Sequence, residues 1–380
     1  MLNRLYIHIP FCRHKCPYCA FVSRGGHEDQ IDGYVETLLQ EMQLVSASCR
    51  PARPLDSIYF GGGTPSLLSP AQVTSILDSV NRLFGISGNG EITLETNPGT
   101  VDFDKLAGFH HSGINRLSLG VQSFDDRMLA ALGRIHSAQQ ALDAFSAARK
   151  AGFDNIGIDL IHALHGQTMA MWQSDLQQAI SLHPEHISIY GLTIEEDTPF
   201  ALRYSNENLL PDDDASADMF ETAHNLLTTA GYEHYEIANY AHPGRRSQHN
   251  SGYWQRDGYL GLGAGAHSFL MDSAWGTRFS NSADIEGYTA AVSSRQLPRE
   301  DLIELSRDDA MAEYLFLGLR MADGISCRRF EELFCVGLDQ VYGREIEKLT
   351  AQGLLLQSGD NLRLSLRGML LSNKVFSEFI

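Results

Sequence analysis

The chain has 380 residues, 43% of them hydrophobic, and a formal net charge of −18 at pH 7. That length accommodates one large domain plus a smaller one, and the apolar content supports a full core rather than a disordered chain. The acidic balance excludes nucleic acid or an anionic lipid surface as the main partner, because both would be repelled over most of the surface, and leaves small molecules or proteins.

Six short β-type runs recur through the first half: LYIHI at 5–9, SIYF at 57–60, ITLE at 92–95, RLSLG at 116–120, NIGIDL at 155–160 and HISIYGL at 186–192. Helical patterns lie between them, and two open with capping boxes, Ser69 to Gln72 with Pro70 in the first turn and Ser137 to Gln140. This alternation predicts a parallel sheet in an α/β fold, a partial open (β/α)6 barrel over residues 1–210. Residues 211–300 read as an extension that opens on PDDD at Pro211–Asp214 and carries HNSGYW at His249–Trp254, then GYLGLGAGAHSF. From residue 301, three helices, a hairpin turning at Gly359–Asn361 and a last helix predict a C-terminal winged-helix-like α+β module over 301–380. That tail has 9 Lys and Arg against 13 Asp and Glu, so protein packing is expected of it and DNA binding is not. No stretch reaches transmembrane length, and six cysteines without a secretory leader fit a reducing, cytoplasmic location. A peripheral membrane contact needs no spanning helix and stays open.

The loop after the first run reads CRHKCPYC and holds Cys12, Cys16 and Cys19. Thiolates this close can share one soft metal centre, and three leave it a ligand short. Zinc is a competitor, with His8 or His14 as a fourth ligand, as is an unmetallated structural role. Zinc ligands usually come as two separated pairs, and no second pair follows, so the spacing favours an iron–sulfur cluster. Cys49, Cys327 and Cys335 are scattered singly and read as core packing. Each strand ends in unusual residues: the cysteine loop, GGGTPS at Gly61–Ser66, Glu95 with Asn97 and Pro98, Gln122, Asp159 and Tyr190. In β/α barrels such strand ends converge on one rim and build the site there. Taken singly, Gly61–Gly63 could equally be a tight turn and Arg134 a surface charge.

With these residues in place, the chain resembles the radical S-adenosylmethionine (SAM) superfamily over nearly its whole length, in the branch of oxygen-independent coproporphyrinogen III oxidase. The resemblance implies that Cys12, Cys16 and Cys19 hold three irons of a [4Fe-4S] cluster and that SAM chelates the fourth. It implies SAM contacts at Tyr6, Tyr18, Gly62, Gly63, Thr64 and Glu95, and further polar positions at Gln122, Arg134 and Asp159 that serve a second SAM in the oxidase. Two departures count against decarboxylation. The oxidase has an additional cysteine where this chain has Phe21, and it has a substrate-covering segment ahead of the first strand. Ala163 and His165 also stand where the family commonly has glycine and proline, and Ala20 where an acidic residue is common.

HNSGYW matches the HNxxYW signature of the haem chaperones in this branch, and the end of the chain, LSLRGMLLSNKVFSEF, resembles theirs. The match implies a haem site at His249, Asn250, Tyr253 and Trp254, with His249 as iron ligand and His267 as a weaker second candidate. Chemistry alone reads His249 as a surface or hydrogen-bonded histidine. The expected function is a haem chaperone that carries a SAM-ligated [4Fe-4S] cluster and passes haem to an acceptor protein. The alternative is an oxygen-independent coproporphyrinogen III oxidase.

Overall fold

The computed structural model describes residues 2–204 and 209–380. All six β-type runs form strands: β1 Leu2–Ile9, β2 Leu55–Gly62, β3 Ile86–Thr96, β4 Arg116–Gln122, β5 Ile156–His162 and β6 His186–Gly191. They pair in that order, and every neighbouring pair is parallel. Because β1 and β6 are not neighbours, the set stays open. The outer face carries Leu5, Ile7, Ile58, Phe60, Leu94, Leu117, Ile158 and Ile187, which share one core with the covering helices. The inner face alternates with it and is polar: Arg4, Tyr6 and His8 on β1, Ser57 and Tyr59 on β2, Glu91 and Glu95 on β3.

The covering helices are α1 Ile31–Ser46, α2 Pro70–Phe84, α3 Phe103–His111, α4 Asp126–Ala131, α5 Ala138–Lys150 and α6 Met169–Ser181. The capping boxes read at Ser69 and Ser137 are present, each side chain accepting from the backbone N–H three residues on. After α7 Pro199–Arg203 and α8 Asp213–Thr229, the chain lengthens the sheet at both ends. Strands β7 Glu233–Glu236 and β8 Asn239–Ala241 add beyond β6. The short helix α9 Gln248–Trp254 then leads into β9 Gly258–Leu262, which lies parallel to β1 on its other side. Strands β10 His267–Leu270, β11 Thr277–Asn281 and β12 Arg299–Glu304, with α10 Ile285–Ser293 between the last two, complete twelve strands.

The C-terminal module has its own core around Phe330, Phe334, Leu355 and Leu362. It comprises α11 Arg307–Gly318, strand β13 Ile325–Ser326, α12 Cys327–Phe334, α13 Leu338–Ala351, the hairpin of β14 Leu355–Ser358 and β15 Asn361–Leu364, and α14 Leu366–Leu370 with α15 Ser372–Phe376. The expected turn lies between Ser358 and Asn361, with Gly359 at φ +58°. Backbone bonds from Ile237 to Arg320 and from Ala322 to Tyr235 tie the module to β7. One expectation fails here. Cys335 is exposed, not core, because it takes the left-handed capping position of α12 at φ +51°. No helix among the described residues is long and apolar enough to cross a membrane.

Candidate functional site

The carboxyl ends of β2 to β6 and the cysteine loop enclose a cavity of about 430 Å³, within the range of small-ligand sites. Its wall contains Tyr18, Cys19, Phe21, Gly62, Gly63, Thr64, Glu95, Gln122, Arg134, Asp159 and Tyr190. The glycines are required by geometry. Gly62 holds φ at +109°, and a Cβ there would lie 2.5 Å from the His8 ring; at Gly63 it would lie 2.6 Å from the Phe11 carbonyl oxygen. Gln122 sits in the left-handed region at φ +69° where β4 ends, a strained conformation of the kind found at ligand sites.

Cys12 is buried, and Cys16 and Cys19 are half-buried. The Thr64 hydroxyl donates to the Cys12 sulfur at 3.4 Å and the Arg134 guanidinium to the Cys16 sulfur at 3.8 Å. Cys19 is in the cavity wall. Burial raises the Cys12 and Cys19 thiols, so metal binding has to release their protons. Glu95 accepts from Tyr59 Oη at 2.9 Å and from the Gly62 N–H at 3.2 Å. Burial pushes its carboxyl up to about 7. Asp159 is likewise raised by burial, against hydrogen bonds from Ser188 and Ser118. Two carboxyls facing a small cavity suit a cationic ligand, whose charge would offset their burial.

The HNSGYW segment lies elsewhere. It forms α9, which packs on the inner face at the amino ends of β1, β2 and β9. Glu91 caps it, accepting from the N–H groups of Gln248 and His249 at 3.0 Å each. His249 is fully buried. Its Nδ1 meets Ser57 Oγ and its Nε2 meets Tyr253 Oη, both at 2.8 Å. Burial first, then the Arg4 and Arg116 cations, hold it well below the usual histidine range, so the ring is neutral. Trp254 lies under the Arg320 guanidinium of the C-terminal module at 4.2 Å, with its indole N–H buried and unpartnered.

Residues 6–179 match the radical SAM superfamily and residues 305–371 the HemN C-terminal domain. The chain is 37% identical to the heme chaperone HemW of Lactococcus lactis over 379 residues, covering 100% of this chain and 97% of that protein. It is 38% identical to the heme chaperone HemW of Escherichia coli over 379 residues, covering 99% and 97%. The chain belongs to the HemW family. Among solved structures it resembles coproporphyrinogen III oxidase (HemN) from Escherichia coli, with a TM-score of 0.87, 23% identity and coverage of 99% of this chain and 89% of that one. At that identity the likeness shows the fold.

The radical SAM match implies SAM and a [4Fe-4S] cluster, and the residues present fit both. Three thiols share one loop with a cationic and a hydroxyl donor directed at sulfur, a common environment for tuning iron–sulfur centres. Beside them stand a glycine cradle, two carboxyls facing the cavity and Arg134, whose Nε is buried without a partner. Of the positions that the radical SAM resemblance implies, Tyr18, Gly62, Gly63, Thr64, Glu95, Gln122, Arg134 and Asp159 meet in the cavity wall. Tyr6 lies outside it, stacked on Tyr59 with centroids 6.2 Å apart. His249, Asn250, Tyr253 and Trp254 are not in that wall. His267 is exposed at the start of β10. Ser57, Tyr59 and Arg116 escaped the sequence reading, although period-two alternation along SIYF and RLSLG puts Ser57, Tyr59 and Arg116 on the inner face with Glu95.

Proposed function

We propose that the chain is a haem chaperone: it binds haem through α9, holds a SAM-ligated [4Fe-4S] cluster on Cys12, Cys16 and Cys19, and passes haem to an acceptor protein. The observation that carries this reading is similarity to the HemW chaperones over the full length of both chains, 37% over 379 residues for the Lactococcus lactis protein. HNSGYW adds a neutral imidazole, the form that ligates iron. Because both ring nitrogens of His249 are engaged and the side chain is buried, haem ligation requires α9 to turn out of the sheet and give up the bonds to Ser57 and Tyr253. When bound, the cluster supplies a redox-active centre with one iron open to SAM. The chain's own residues do the rest: the Gly62–Gly63 backbone permits close approach, and Glu95 and Asp159 receive positive charge. Phe21, 68% exposed, presents an aromatic surface at the mouth. Cysteine usage supports action in a reducing compartment.

The test is anaerobic reconstitution with iron, sulfide and haem quantified on one sample, followed by incubation with coproporphyrinogen III, SAM and a reductant. The expected result is non-haem iron equal to sulfide, haem equimolar with the chain, and no protoporphyrinogen. Protoporphyrinogen formation would replace the chaperone by the oxidase.

A further inference from the structure

Tyr59 belongs to neither site described above, yet it touches both. Its hydroxyl donates to Glu95 Oε1 at 2.9 Å on the cavity wall. Its ring stacks on the His249 imidazole with centroids 5.1 Å apart and planes 30° from parallel. The pleat of β2 produces this arrangement, since Ser57, Tyr59 and Gly61 share the inner face at steps of roughly 7 Å. Ser57 engages His249 from below. Above, Gly61 leaves room for the rings: a Cβ there would lie 2.9 Å from Tyr6 and 3.0 Å from Tyr59. Tyr6 stacks on the remaining side. Tyr59 is buried, so its ring has little freedom to shift without moving either His249 or its bond to Glu95.

We propose that Tyr59 is a positioning residue that couples the cavity to α9: a cationic ligand of the SAM class held at Glu95 fixes Tyr59, which keeps His249 inside the sheet, so that filling the cavity weakens haem binding at His249. The haem arm rests on the reading of His249 as haem ligand; the link from cavity to helix does not. The physical basis is the hydrogen bond between Tyr59 and Glu95. A carboxyl facing a bound cation is ionised, and a hydroxyl donated to a full negative charge makes a stronger bond than one donated to a neutral acid. With its carboxyl pushed up to about 7, Glu95 without a cation carries that charge only part of the time near neutral pH. By linkage, haem weakens SAM binding by the same factor.

The experiment uses cluster-reconstituted full-length protein. Hydrogen–deuterium exchange of amides 248–254 is followed with and without SAM in the absence of haem, and haem is then titrated with and without SAM. In the wild type, SAM is expected to slow exchange in α9 and to weaken haem affinity roughly fivefold. Tyr59→Phe keeps the ring and its stacking but lacks the hydroxyl, and should lose both effects while binding each ligand alone. Wild-type exchange indifferent to SAM overturns the coupling whether or not the variant folds, and so does a Tyr59→Phe protein that retains the full effect. Slowed exchange with haem affinity insensitive to His249→Ala keeps the coupling and removes the haem reading.

Discussion

Ala163 follows β5 with φ at +59°, a left-handed conformation that a Cβ makes unfavourable. The strand end here carries Asp159 into the cavity, so the backbone geometry is kept and the side chain bears the strain. Ala163→Gly should therefore stabilise the protein by about 1 kcal/mol, read as a higher urea midpoint at unchanged m-value. Gly62 is the reverse case. Gly62→Ala meets both a positive φ and the His8 ring, and should cost roughly 1–3 kcal/mol together with SAM affinity. Both positions were visible beforehand, Gly62 by its place after a strand and Ala163 as a departure from the family's glycine. What could not be read is the sign of φ at each, +109° at Gly62 and +59° at Ala163. His165 shows the same limit: it stands where proline is common, and its ring bonds to the Leu209 carbonyl, a partner 44 residues away.

At the scale of elements, strands and their ends were legible because alternation and turn chemistry are local. The placement of α9 was not. HNSGYW reads as aromatic surface, whereas its partners are Arg4, Ser57 and Glu91, all more than 150 residues earlier. Its unspecified positions prove informative. Arg4 crosses the helix at Gly252 on its way to Ser57 and Asp257, and a Cβ at Gly252 would lie 1.6 Å from Arg4 Nε. Gly252→Ala should therefore prevent α9 from seating, at a cost of roughly 1–3 kcal/mol. Faster amide exchange over 248–254 checks this. Because the seated state is the one that hides His249, haem affinity should rise in the same variant.

Across the whole molecule, Glu41 on α1 holds the far edge of the sheet. It accepts from the Gly263 N–H at 2.8 Å, Asn281 Nδ2 at 2.5 Å and Tyr288 Oη at 2.7 Å, joining segments more than 220 residues apart. Burial pushes its carboxyl up to about 7 from an ordinary value of 4.5. The folded state thus holds this proton more tightly than the unfolded chain does. The resulting stability is fully present below pH 4.5 and is lost as pH rises through about 7. Glu41→Gln should flatten the fall in stability between pH 4.5 and about 7, measured by urea unfolding; an identical slope in both proteins would remove Glu41 as its source. The same architecture places the cavity at the carboxyl ends of the strands and α9 at their amino ends, so haem and SAM are read as occupants of opposite ends of one sheet. Haem titration of the wild type and His249→Ala, followed by absorption, addresses that reading most directly. The expected result is an equimolar haem complex in the wild type and affinity weakened by roughly tenfold or more, with an altered Soret band, in the variant. Equal affinity and identical spectra in the two proteins would contradict it.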